Sequence, residues 1–149
     1  DLRFQRAGAR FSRERLVEVT SEAELRIKTE GNPGATRDMR RRLMVFLETL
    51  GIERDFRDDI QTAVGEALAN AAEHAYDGVE PGEIELHARA SDDGSMLWVD
   101  VFDNGTFIER EPRPGRGFGL RIARAIASTV SIDVENGTHV RMIFTRARP

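Results

Sequence analysis

Glu66 and Asn70 stand four residues apart in the stretch EALANAAEHAY, residues 66–76. In a helix that spacing puts both on one face. A carboxylate there can accept a proton or position a nucleophile, and an amide oxygen can help hold a hard cation such as magnesium. Alone, the pair also fits a solvated glutamate beside an incidental asparagine. In VDVFDNGTF, Asp103 shares strand parity with Leu97, Val99 and Val101. If that apolar face meets helices, Asp103 points inward, and a buried carboxylate needs donors. The exocyclic amine of a base would serve, with Gly105 letting a flat ring approach the backbone; an ordinary Asp-Asn-Gly turn is the plain alternative. PGRGFGL carries Gly115, Gly117 and Gly119 into a helix, and glycines before a helix N-terminus expose backbone N–H groups to phosphate. The pattern is neither a Walker loop nor a dinucleotide fingerprint following a strand. Thr138, after the Asn136-Gly137 turn, is either a simple β-former or a hydroxyl that touches a base directly or through water.

The elements that must position these residues are legible as periodicities. AELRIKTEG alternates Leu25, Ile27 and Thr29 and reads as a strand. Asn32-Pro33 suits an N-cap and first helical position. Met39, Leu43, Phe46, Leu47 and Leu50 then recur at helical spacing until Gly51. A second helix spans about 55–76, with Phe56, Ile60, Ala63, Val64, Ala67, Leu68, Ala71 and Ala75 as its apolar stripe, and Glu66 and Asn70 flank that stripe. EIELHARA and SMLWVDVFD are strands. FGLRIARAIAST is a helix with Phe118, Ile122, Ala125, Ile126 and Thr129 on its stripe, and SIDV-ENG-THVRMIF is a closing hairpin. This order predicts an α+β two-layer sandwich, with a mixed, mostly antiparallel sheet covered on one face by helices. Residues 1–22, rich in arginine, read as a linker or the tail of an upstream module, and residues 23–149 as the functional domain. Opening on Asp1 rather than methionine, the chain reads as a segment of a longer protein.

Composition narrows the classes. The chain has 149 residues, 40% hydrophobic and 32% charged, which suits one soluble globular domain. No apolar run approaches a membrane span. The absence of cysteine excludes disulfides and thiolate metal sites and suits a cytoplasmic protein. A net charge of -4 argues against a general nucleic-acid binder. His74, His87 and His139 lie on different elements and suggest no metal site of their own.

Taken together and in this order, the four motifs resemble the GHKL ATPase superfamily, whose ATP-binding domain has the Bergerat fold. Glu66-x-x-x-Asn70 resembles its N box and Asp103-x-Gly105 its first glycine box. Gly115-Arg116-Gly117-Phe118-Gly119-Leu120 resembles the second, and Gly137-Thr138 the final motif. The resemblance covers about residues 23–146. It implies ATP bound between helices and sheet, Asn70 helping to hold Mg2+ and Asp103 binding the adenine amine. It also implies Gly117 and Gly119 along the phosphates, with Gly115 in the same loop, and Thr138 near the base. EALANAAEHAY and GRGFGLRIARAIAS look most like the bacterial anti-sigma factor serine kinases. That branch implies an ATP-dependent protein serine kinase that phosphorylates an anti-sigma factor antagonist and regulates a sigma factor. Glu66 would be base or orienter for the serine hydroxyl, with Arg113 or Arg116 stabilising the transferred group. Phe107 and Ile108 depart from the usual composition of the loop after the first glycine box.

Two other readings stand beside this one: an ATP-gated binding switch without phosphotransfer, and the catalytic domain of a sensor histidine kinase. The second needs a phosphoacceptor histidine on a preceding helical hairpin; the upstream residues of this sequence are too few for one, and a segment further upstream could still supply it. Finally, Met96, Trp98 and Phe102 flank Asp100 on the strand face opposite Val99 and Val101. Such a face calls for a cover, either residues 1–22 folding back or a second copy in a homodimer.

Overall fold

The computed structural model describes residues 17–20, 23–31, 33–76, 82–105 and 119–146. Its elements are β1 (Val17–Thr20), β2 (Glu24–Glu30), α1 (Pro33–Thr49), α2 (Arg54–Tyr76), β3 (Glu83–Ala90), β4 (Met96–Asp103), α3 (Gly119–Ile126), β5 (Thr129–Asp133) and β6 (Thr138–Thr145). The strands form one six-stranded sheet in the order β1-β2-β3-β4-β6-β5. The α+β sandwich agrees with the sequence reading; the sheet, expected to be mixed but mostly antiparallel, has every neighbouring pair antiparallel among the described residues. The reason is topological. One helix separates β4 from β5, so both run the same way, but β6 turns back and inserts between them. Two helices separate β2 from β3, so the chain reverses three times between them, and that odd number of reversals leaves them antiparallel.

Strand alternation puts one side chain in two against the helices. Leu25 and Ile27, Ile84, Leu86 and Ala88, Leu97, Val99 and Val101, and Val140, Met142 and Phe144 are buried there. They meet Met39, Leu43, Phe46 and Leu47 of α1 and the stripe Ile60, Ala63, Val64, Ala67, Leu68 and Ala71 of α2. Each large side chain so buried contributes roughly 1.5–3 kcal/mol. Pro33 opens α1, where its missing N–H costs nothing. The same helix ends in a Schellman motif: Gly51 N–H donates to the Glu48 carbonyl at 2.9 Å and Ile52 N–H to the Leu47 carbonyl at 3.2 Å. Gly51 takes φ of 70° there, and buried Ile52 packs in the same core as Leu47.

Two expectations change. In α3 the buried position is Ala123, with Leu120 and Ile126 packed against the core, while Ile122 is 41% exposed and Ala125 also faces solvent. The helix stops at Ile126 and Thr129 opens β5; Phe118 lies outside the described residues. An eight-residue helix with apolar groups on more than one side offers two stripes, and helical spacing alone cannot choose between them. The sheet also begins earlier than anticipated. Within the stretch read as a linker, Val17–Thr20 pair with β2 in the register Val17↔Lys28 to Thr20↔Leu25.

Candidate functional site

Glu66 and Asn70 sit one turn apart on α2, both half-buried, while Ala67, Leu68 and Ala71 between and beside them are fully buried. The pair therefore lies at the rim of the core, as flanking positions of an apolar stripe must. Phe56, near the start of α2, packs edge-on against Phe144 of β6 at 6.5 Å. From Phe56 to Asn70 a helix rises about 21 Å. From Phe144 back to Thr138 a strand covers about 20 Å. The helix is thus long enough to carry Asn70 to the end of the sheet where Asp103 and Thr138 lie, and it packs on β4 itself.

At that end Asp103 closes β4 on its helix-facing side, 7% exposed, in direct register with Thr138 of β6, 6% exposed. The backbone holds this corner tightly. Gly105 N–H donates to Asp103 Oδ1 at 3.1 Å. Asn104 Oδ1 accepts from Glu83 N–H at 2.8 Å, tying the strand end to β3. The β5–β6 hairpin turns at Asn136 and Gly137 with φ of 55° and 112°, the left-handed region that Asn and Gly tolerate best. Gly137 is required twice over, because a Cβ there would collide with the Asp103 carbonyl oxygen and crowd Asn104 Cα. The turn that delivers Thr138 therefore lies directly on the backbone that delivers Asp103.

The corner also has an unmet need. Among the described residues, buried Thr138 Oγ1 finds no hydrogen-bond partner, although buried hydroxyls are nearly always paired. A planar base bearing an amine and ring nitrogens offers groups suited to a carboxylate and a hydroxyl set side by side, either directly or through water. The residues present therefore fit a nucleotide base. Gly119 is the first residue of α3, which packs against α2. No acidic side chain occupies the first turn of α3, so its N-terminal dipole is not countered there by a carboxylate. Arg113, Gly115, Arg116 and Gly117, like Phe107 and Ile108, lie outside the described residues. So among the described candidates, Asp103, Gly105 and Thr138 form one corner, Glu66 and Asn70 form a pair on α2, and Gly119 begins the neighbouring helix.

Sequence reasoning missed a second polar cluster, on the opposite side of the sheet. Asp100 is only 3% exposed. It accepts from His139 Nε2 at 2.6 Å, from Arg141 Nε at 2.8 Å and from Arg141 Nη2 at 3.3 Å. Burial pushes the Asp100 carboxyl up, but the hydrogen bonds and charges of Arg141 and His139 outweigh it and hold the group below its ordinary value. The partnership raises the Arg141 guanidinium in turn. His139 stacks on Phe102 at 4.1 Å, and Arg89 lies 4.9 Å over the Trp98 ring. The available signal was a charged pair directly cross-strand, Asp100↔Arg141, which becomes visible only once β4 and β6 are known neighbours. His87, expected to be solvated, is half-buried and donates to Glu24 at 2.8 Å.

The profile of the histidine kinase-like ATPase domain matches residues 29–144. An anti-sigma F factor from Clostridium botulinum is 30% identical over 111 residues, which is 65% of this chain and 76% of that protein. A serine-protein kinase RsbW from Oceanobacillus iheyensis is 30% identical over 108 residues, 62% of this chain and 68% of that one. The crystal structure of the RsbU and RsbW domains of a Mycobacterium tuberculosis protein superposes on 88% of this chain with a TM-score of 0.68 and 28% identity, and this chain spans 34% of its length. The chain belongs to the histidine kinase-like ATPase domain family, and membership in that family implies ATP binding.

Proposed function

We propose that this domain is an ATP-dependent protein serine kinase with an anti-sigma role, acting on a serine of an antagonist protein and regulating a sigma factor in the cytoplasm. The observation that carries the reading is the corner of Asp103 and Thr138: a buried carboxylate beside a buried hydroxyl that has no partner among the described residues. Relatives named for both activities, an anti-sigma F factor and a serine-protein kinase, support it. Asp103 takes the adenine amine and Thr138 lies beside the base. Gly105 leaves room for the ring, and Gly115, Gly117 and Gly119 line the phosphates. Asn70 helps to hold Mg2+, which when bound neutralises charge on the phosphate oxygens. Glu66, one turn away on the same rim, accepts or orients the proton of the incoming serine hydroxyl, and Arg113 or Arg116 stabilises charge on the transferred group.

The test is to incubate the domain with labelled ATP, Mg2+ and candidate antagonist proteins, then map any phosphoserine. Transfer to serine is expected with the wild type. The Glu66→Ala variant should keep nucleotide affinity and lose transfer by about 10²–10⁴-fold, the usual contribution of a positioned base. Asn70→Ala should instead weaken magnesium-dependent nucleotide binding. Equal loss of affinity in both variants would contradict separate roles. Nucleotide binding without phosphoserine on any antagonist would replace the kinase with a binding switch.

A further inference from the structure

Asn104 lies between Asp103 and Gly105, and its side chain does more than fill a turn. β3 and β4 run antiparallel, with Ile84 opposite Asp103 and Glu85 opposite Phe102. In such a ladder every second pair exchanges backbone hydrogen bonds. Asn104 N–H donates to the Glu83 carbonyl at 3.4 Å, so Glu83 and Asn104 form a bonding pair, as Glu85 and Phe102 do two residues earlier. Asp103, between them, turns its backbone groups toward Thr138 of β6. On the β3 side Asp103 is therefore held through its two neighbours. The return bond of the last pair is unusual. Glu83 N–H donates at 2.8 Å to Asn104 Oδ1, so the side chain stands where a continuing ladder would place a backbone carbonyl. The ladder is closed while the backbone is released to turn, and Gly105 N–H comes back to Asp103 Oδ1 at 3.1 Å. The strand that Asn104 grips is itself fixed: Glu83 is opposite Glu30 of β2, and Gly31 N–H donates to the Gly82 carbonyl at 2.7 Å.

We infer that Asn104 is a positioning residue for base selection: gripping Glu83 on one side and delivering Gly105 on the other, it sets the place and rotation of the Asp103 carboxylate that takes the amine of the base. The inference rests on the reading of Asp103 as the acceptor for adenine. What the position needs is an acceptor oxygen, since a backbone N–H can only donate. Asn104 is exposed, so packing in the core does not account for it. An amide suits the place better than a carboxylate, because Asp103 precedes it in the chain and Glu83 faces it across the strands, and a third negative charge there would be repelled. Placement matters because a hydrogen bond weakens steeply as it is misaligned, and a group that reads a ligand has to be held within about 0.5 Å. A base without the amine makes no such bond. Asn104 therefore matters to the nucleotide that carries the amine and not to one that lacks it.

The test compares ATP with the triphosphate of purine riboside, which lacks only the amine and carries the same charge. Affinities are measured by calorimetry with Mg2+ on the full 149-residue chain. The wild type should favour ATP about tenfold or more. Asn104→Ala should bring that ratio down to about twofold, through loss of ATP affinity alone. Asn104→Asp keeps the oxygen and should keep the ratio, with any cost of its added charge falling on both nucleotides alike. On an Asp103→Asn background, Asn104→Ala should change the ratio no further, because it acts through that carboxylate. Equal losses for both nucleotides in Asn104→Ala would show a general structural role and overturn the proposal. So would a lost ratio in Asn104→Asp, which carries the test by itself if the alanine variant does not fold. A wild type that discriminates beside an Asn104→Ala of unchanged ratio leaves Asp103 as the reader of the amine and removes Asn104. A wild type that binds both nucleotides equally removes the reading of Asp103, and the role of Asn104 with it.

Discussion

Asp103 and Thr138 both bear on affinity but differ in what they do for stability. Asp103→Asn keeps an oxygen for the Gly105 N–H but replaces the second carboxylate oxygen with a donor. The variant should fold normally and bind ATP about tenfold or more weakly, the 1–3 kcal/mol expected when a buried amine loses its acceptor. Isothermal calorimetry reads this directly, and unchanged affinity would place the base elsewhere. Thr138→Val removes the hydroxyl that has no partner among the described residues at almost constant shape. Without nucleotide the variant should be more stable, by about 1 kcal/mol, because an unmet buried polar group is gone. With nucleotide it should bind less tightly. A fall in the melting temperature of the nucleotide-free variant would mean that the hydroxyl serves the fold.

The β5–β6 hairpin and the helix ends show how elements deliver these groups. Gly51, Gly94 and Gly137 all take positive φ, but only Gly137 also presses on another strand, where an added Cβ would meet Asp103 and Asn104 backbone. Gly94→Ala has open space and should cost only the left-handed penalty, about 1 kcal/mol. Gly137→Ala must in addition push the hairpin off β4, so it should cost clearly more and loosen the Asp103↔Thr138 pairing. Urea melts of the two variants give the comparison, and equal losses would show that the close approach is inconsequential. On α2 the small side chains Ala63, Ala67 and Ala71 form part of the buried stripe. They let the helix lie close to the sheet while Glu66 and Asn70 stay at its rim.

For the molecule as a whole, Asp100 ties β4 to β6 on the outer face and makes stability depend on pH. Its folded value is depressed, so its contribution is full above the unfolded carboxyl value near 3.9 and is lost as pH falls through the lower folded value. Asp100→Asn should therefore be less stable than wild type at neutral pH, by about 1–3 kcal/mol for lost charge-assisted bonds. The difference should shrink below about pH 4, as denaturant midpoints across that range would reveal; a gap that stays constant would mean the carboxylate's charge is irrelevant. Trp98 belongs to the same face, half-buried under Arg89. Trp98→Glu puts a charge on this face and should lower the melting temperature; an unchanged mass by light scattering would place the cover of the face within one chain. A halved mass would instead point to a face that pairs two chains.

Alternation in β2, β3, β4 and β6 and the 3.6-residue stripes of α1 and α2 were enough to determine the layers, the helix-facing side of Asp103 and the rim position of Glu66 and Asn70. These follow from the backbone periods of strand and helix, which each segment carries in its own residues. The Asn136-Gly137 turn was equally local, because few residues accept positive φ. The rest depended on contacts between segments distant in the chain. The insertion of β6 between β4 and β5, which makes every pairing antiparallel, sets Thr138 opposite Asp103 and Arg141 opposite Asp100. The choice of Ala123 over Ile122 as the buried side of α3 depended on α2 packing beside it, and the edge strand at Val17–Thr20 on β2 being there to pair with. A sequence carries the period of each element, but which strands become neighbours is settled by how the apolar faces bury one another, and that exists only in the folded chain.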